Sequence, residues 1–292
     1  MIHFVESGSL PESGLSQESL LGPVQKIFSE QGDLVNHLGF EFRPEQALMA
    51  ETFSKSLISG KHLIFEAGTG VGKSLAYLIP SLIFSVFTKR KCIVATNTIN
   101  LQEQLLSKDI PTIRELFNRS EGLAGFREFN CALLVGRANY LCTNRLHRAL
   151  LSKGDLFEAS QYQELQRIAD WVASGPIEGI RQELSPSPNP LVWDMVNADS
   201  SLCSSQRCSA KDCYYRKARA LVDHADLVIL NHSLLFSLLG AGVSSSHEGS
   251  GILFPDDFLV FDEAHEITEV ASEHLGVSLS SRSEETRLNS SH

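Results

Sequence analysis

Ala67-Gly68-Thr69-Gly70-Val71-Gly72-Lys73-Ser74 is the stretch of this chain best equipped for chemistry. Its glycines free backbone N–H groups to converge on an anion. Lys73 adds a mobile positive charge, Ser74 a hydroxyl for a metal, and the following helix a favourable dipole. Such a set suits a nucleoside triphosphate with Mg²⁺. The strict phosphate-loop pattern has Gly where Ala67 stands. A tight strand–helix turn without a ligand is the plainer alternative. A second candidate lies far downstream, where the apolar run Phe258-Leu259-Val260-Phe261 delivers Asp262-Glu263-Ala264-His265. Acidic pairs at strand ends are often helix caps, but here they point at the same sheet edge as the loop. Asp262 can hold Mg²⁺ through water, because that ion dehydrates reluctantly. Glu263 can orient and deprotonate an attacking water. Phosphoryl transfer needs mostly positioning and charge neutralisation, which Lys73, Ser74, Asp262 and Glu263 would supply.

The elements that position these groups alternate. Lys61–Phe65 reads as a buried strand and Leu75–Ile79 as a helix. Cys92–Thr96, Phe129–Val135, Ala225–Leu230 and Phe258–Phe261 are further apolar strands. Near-continuous apolar strands separated by helices predict an α/β fold with a parallel sheet covered on both faces. Ligands then sit at the carboxyl edge. Pro44 suits a helix start and Gly60 its stop. Arg43 and Gln46 at that start read as a solvated helix end, or as nucleotide contacts, since a Gln amide can pair with both edges of adenine. A polar turn, Asn97-Thr98-Ile99-Asn100, enters a helix after Thr96, its Thr and Asn reading as caps or as neutral donors to phosphate oxygens.

Residues 1–31 are rich in Ser, Glu and Gly and read as a loose lead-in. From Cys142 to Cys213 polar helical patterns and a Pro-rich link replace the strands, as in an insertion. The spacing Cys203-x₄-Cys208-x₄-Cys213 lacks the short knuckles usual for zinc. Cys92 and Cys131 sit on strands and read as buried apolar thiols. Arg137, Tyr140, Tyr214, Tyr215 and Arg216 mix charge with aromatic faces that could stack on bases, unless the tyrosines pack around a metal. Ala241–Gly251 reads as a flexible Gly/Ser loop. The end, Arg282–His292, lacks apolar periodicity and resembles a cloning scar.

The chain has 292 residues, 42% hydrophobic and 21% charged, ordinary for a globular protein. Its net charge of −10 supplies no global field to attract nucleic acid, so any such surface is local. No membrane span is predicted, and the chain reads as cytoplasmic.

Taken together, Arg43-x-x-Gln46, the phosphate loop, Thr96-x-Thr98-x-x-Leu101-Gln102-x-Gln104-Leu105, Gly136-Arg137-x-Asn139-Tyr140-x-Cys142, the cysteine trio, Asn231-His232-Ser233 and Asp262-Glu263-Ala264-His265 occur in order. In this the chain resembles the DinG/YoaA/XPD-like iron–sulfur branch of superfamily two DNA helicases, over about Gly32 to Leu279. The resemblance implies a RecA-like motor domain in two parts, 32–135 and 217–281, around a mostly helical iron–sulfur insertion at 136–216. It implies ATP-driven movement 5′ to 3′ on single-stranded or forked DNA, in DNA repair. Cys142, Cys203, Cys208 and Cys213 match the family's ligands to a 4Fe–4S cluster. Thr98, Gln102, Arg137 and Tyr140 would face DNA. A second motor domain carrying an arginine finger is expected downstream, and without it turnover should be poor. Two rival readings are a non-catalytic metal-containing nucleic-acid module and a phosphate-loop ATPase that remodels protein.

Overall fold

The computed structural model describes residues 2–5, 17–68, 70–152, 159–199, 213–240 and 257–275. Its elements run β1 (Ile2–Val5), α1 (Gln17–Phe28), α2 (Asp33–Leu38), α3 (Pro44–Ser59), β2 (His62–Phe65), α4 (Lys73–Thr88) and β3 (Cys92–Thr96). Then follow α5 (Ile99–Gln104), α6 (Ile110–Arg119), β4 (Cys131–Leu133), α7 (Thr143–Leu151), α8 (Ala159–Ala173) and α9 (Pro190–Val196). The chain continues with α10 (Tyr214–Asp223), β5 (Leu227–Asn231), α11 (His232–Gly240), β6 (Phe258–Phe261) and α12 (Ile267–Leu275).

Four strands form a parallel sheet in the order β4-β5-β3-β6. Cys92–Thr96 of β3 and Leu227–Leu230 of β5 are buried along their length, which is why they read as unbroken apolar runs. In register, Ala95 lies opposite Leu230 on one side and Phe261 on the other. That places Asp262, Thr96 and Asn231 together at the carboxyl edge. The greasy stretch Leu75–Ser85 of α4 is wholly buried, and Pro80 is accommodated within the helix.

Two departures from the sequence expectations stand out. The lead-in is not loose from Gln17 onward: Leu20, Val24 and Ile27 recur at helical spacing on α1 and sit in the main core. The run Lys61–Phe65 is not a buried strand. β2 pairs antiparallel with β1 alone, outside the four-stranded sheet, and Ile64 is 59% exposed. Among the described residues no strand is hydrogen-bonded between β2 and β6, so β2 lacks the flanking neighbours that would cover it.

The inserted stretch builds its own small helical core. Leu146 of α7, Leu165 and Ile168 of α8, and Val192, Trp193 and Val196 of α9 pack together. The Trp193 indole N–H donates to the Ala138 carbonyl at 2.8 Å, tying this core to the segment after β4. α9 is absent from the sequence reading because it follows directly on the Pro-rich link; Asn189 caps it by accepting the Leu191 N–H at 2.9 Å. Residues 241–256 and 276–292, the predicted Gly/Ser loop and the tail, lie outside the described residues.

Candidate functional site

The turn between β2 and α4 is held open by conformations that favour glycine. Gly70 and Gly72 have φ of 80° and 83°, a left-handed region costly for other residues. Gly72 is the N-cap of α4, so Lys73 and Ser74 form the first turn, where N–H groups have no intrahelical partner. Two side chains from the start of α3 brace the turn. The Gln46 amide donates to the Gly72 carbonyl at 2.8 Å, and the Arg43 guanidinium donates to the Gly70 carbonyl. Ala67 packs at the core's edge. Thr69 lies outside the described residues.

The two acids meet the first turns of α4. Lys73 Nζ is 3.2 Å from Glu263 Oε1, joining residues 190 positions apart in sequence. Asp262 is fixed twice: its Oδ1 accepts the Glu263 N–H at 3.0 Å, and its Oδ2 accepts the Tyr77 hydroxyl at 3.0 Å. Burial, with the Asp262 carboxylate beside it, raises the Tyr77 phenol well above its usual range, so it remains a donor. Glu263 itself has φ 53°, ψ 47°, unusual for a residue with a side chain. The His265 ring nitrogens stand 3.6 and 3.4 Å from Glu263 and Glu266 and are largely exposed.

A cleft of about 600 Å³ opens here, lined by Phe40, Arg43, Gln46, Gly70, Gly72, Lys73, Ser74 and, from the α5–α6 side, Gln104, Lys108, Asp109 and Thr112. Its size and polar lining suit a nucleotide. Asp109 is buried; desolvation and the nearby Asp262 raise its carboxyl, while Lys108 and the Ser74 hydroxyl draw it down, with the net shift upward. Behind the acids His232 is fully buried, one ring nitrogen 3.0 Å from the Ala95 carbonyl. Burial lowers its pKa, and contact with Ala95 and Asp262 opposes that only in part. Tyr77, Asp109 and His232 were not singled out by sequence as site residues. Of the three, only His232 had a signal, lying in the motif at the end of β5.

The expected DNA-facing residues divide. Thr98 is exposed as the N-cap of α5, its Oγ1 accepting the Leu101 N–H at 3.3 Å. Arg137 lies 4.4 Å over the Tyr215 ring and is half-buried. Gln102 is fully buried, its amide turned toward the Leu134 carbonyl, because its face of α5 packs on the sheet. Tyr140 is 1% exposed: its hydroxyl accepts the Val135 N–H at 3.2 Å and its ring meets Tyr215 edge-on. Neither Gln102 nor Tyr140 can stack on or grip a strand from there.

Cys203 and Cys208 lie outside the described residues. Cys142 and Cys213 are free, half-buried thiols at the N-caps of α7 and α10. They flank one glycine: Leu141 N–H donates to the Gly179 carbonyl at 2.9 Å, and the Tyr214 ring lies so close to Gly179 that a methyl there would stand 2.1 Å from it. Cysteine thiolates are the ligand type that a 4Fe–4S cluster would need, and two of the four expected ones lie among the described residues. Among the described residues no group of three or more potential ligands converges. Cys92 is buried in β3, its thiol raised by burial, and burial pushes Cys131 up to about 12; both behave as apolar side chains.

A phosphate-loop turn facing two acids across a parallel sheet's carboxyl edge defines a nucleotide-site fold, and comparison with known proteins agrees. The family described as DEAD/DEAH box helicase matches residues 44–122, and the DEAD_2 family matches residues 192–283. The chain is 34% identical over 262 residues to the ATP-dependent DNA helicase YoaA of Haemophilus influenzae, covering 89% of this chain and 38% of that protein. It is 35% identical to YoaA of Escherichia coli over 259 residues, covering 87% of this chain and 38% of the relative. Against the ATP-dependent helicase DinG of Mycobacterium tuberculosis it is 33% identical over 256 residues, covering 82% and 37%. Over most of its own length the chain is therefore similar to helicases named DinG and YoaA. It spans a little over a third of the length of these curated relatives.

Proposed function

We propose that the chain carries the nucleotide-binding part of the first, RecA-like motor domain of an ATP-dependent DNA helicase, one that moves 5′ to 3′ on single-stranded DNA in DNA repair. The observation that carries this reading is the meeting of Lys73 and Glu263 at 3.2 Å, with Tyr77 fixing Asp262 beside them. In this reading Lys73 and the N–H groups at the start of α4 bind the β- and γ-phosphates. Arg43 and Gln46 hold the loop in shape from the adenine side. Ser74 and Asp262 would hold Mg²⁺, which on binding neutralises phosphate charge. Glu263 takes the proton of the attacking water once Lys73 has turned to the phosphates. An arginine from a second motor domain, expected from the family resemblance, would complete the site.

The same reading assigns Cys142, Cys203, Cys208 and Cys213 to a 4Fe–4S cluster, with Thr98 and Arg137 along the DNA path. Iron and sulfide in equal amounts after anaerobic purification, in place of zinc, would support the cluster. The decisive experiment substitutes Lys73→Ala in the intact protein. Nucleotide binding and unwinding of a fork with a 5′ tail should be lost, with single-stranded DNA binding retained. Unwinding that survives the substitution, or runs only from a 3′ tail, refutes the proposal.

A further inference from the structure

α5 and α6 form one continuous rod from Ile99 to Arg119, interrupted by a π-turn at Leu105–Asp109. Such a turn inserts a residue, rotates everything after it, and occurs disproportionately at functional sites. Here it brings Asp109 to the cleft wall beside Lys108 and one turn before Thr112. Asp109 is only 8% exposed, and its Oδ2 has no hydrogen-bond partner among the described residues. Buried carboxylate oxygens are rarely left so, and one that is calls for a ligand or a function. Asp109 lines the same cleft as Ser74, one of the groups assigned above to the metal.

We propose that Asp109 is an outer-sphere acceptor for the metal–nucleotide complex, its Oδ2 taking a hydrogen bond from water carried by Mg²⁺. This rests on the nucleotide-site reading and extends it to a residue outside the loop and the acid pair. Mg²⁺ keeps several of its waters when it binds, and their protons need acceptors in the wall around it. A carboxylate in that wall also repels phosphate oxygens that arrive without a cation. Asp109 therefore makes the pocket choose metal-bound over bare nucleotide. Lys108, exposed on the same turn, offsets part of the repulsion and none of the need for a donor.

The test is the affinity of a fluorescent ATP analogue for the intact protein, with Mg²⁺ and with EDTA, in wild type and Asp109→Asn. The amide has nearly the same shape and no charge. The ratio of the two affinities should shrink at least tenfold in the variant, with part of the change arising from tighter binding in EDTA. A purely structural Asp109 would move both affinities together and leave the ratio intact, and that result overturns the inference. Should Asp109→Asn not melt cooperatively, Asp109→Ser, smaller and also neutral, is read by the same ratio. A wild-type protein that binds the analogue in neither condition refutes the nucleotide site itself. Tight wild-type binding with an unchanged ratio in the variant refutes only the role of Asp109.

Discussion

Substituting Gly72→Ala separates two costs that the structure places on one atom. The backbone cost comes from φ 83°, where a side chain is disfavoured by about 1–2 kcal/mol. The contact cost comes from Gln46: the new methyl would stand 2.2 Å from its Nε2 and 3.0 Å from its Cδ. Gln46 must then abandon its 2.8 Å bond to the Gly72 carbonyl, and a buried amide without its partner costs about 1–3 kcal/mol. The two together give about 2–5 kcal/mol of destabilisation. Only the second part depends on residue 46. In a double-mutant cycle with Gln46→Ala, urea unfolding should therefore show coupling of about 1–3 kcal/mol, the pair being less harmful than the sum. Nucleotide affinity should follow the same cycle, since the loop's shape is what the two residues share. Strict additivity would refute the reasoning, because it would mean that Gln46 steps aside freely and does not brace the turn.

Three further outcomes follow from the site. Tyr77→Phe removes the donor to Asp262 Oδ2 with little loss of packing, and should cost about 1–2 kcal/mol in urea unfolding, since water can reach the half-buried acid. Glu263→Gln removes the charge paired with Lys73; nucleotide should bind at least as tightly while DNA-stimulated hydrolysis by the intact protein falls about 10²- to 10⁴-fold. For His232 the folded-state pKa lies below the ordinary value of 6.5, so the unfolded chain takes up the proton first as pH falls. Its contribution is complete above 6.5 and is lost as pH drops through the folded-state value; unfolding curves at several pH values should show a flatter acid limb in His232→Gln.

Much of the chemistry was legible because it is written locally. The glycines, Lys73 and Ser74 form an unbroken string, and the acids follow directly on four apolar residues. The strands β3 and β5 were legible for the opposite reason, that burial on both faces leaves no polar interruption. What escaped depends on partners distant in sequence. Lys61–Phe65 has the composition of a buried strand, but burial requires neighbours on both sides, and among the described residues β2 pairs with β1 alone. Tyr77 lies in a greasy run that reads as core, and its hydroxyl has meaning only beside Asp262. Asp109 is brought to the cleft by a π-turn that leaves no mark in composition. Gln102 and Tyr140 are polar types that the sheet nonetheless buries.

The detachment of β2 from the four-stranded sheet has a mechanical consequence. Loop and acids are joined by the Lys73–Glu263 and Tyr77–Asp262 side-chain bonds, and among the described residues no backbone ladder links their two strands. The pocket thus straddles a seam that can open or shear while both walls keep their secondary structure. Leverage on either strand would register first as a change in the gap between cation and carboxylate, the distance on which hydrolysis would turn.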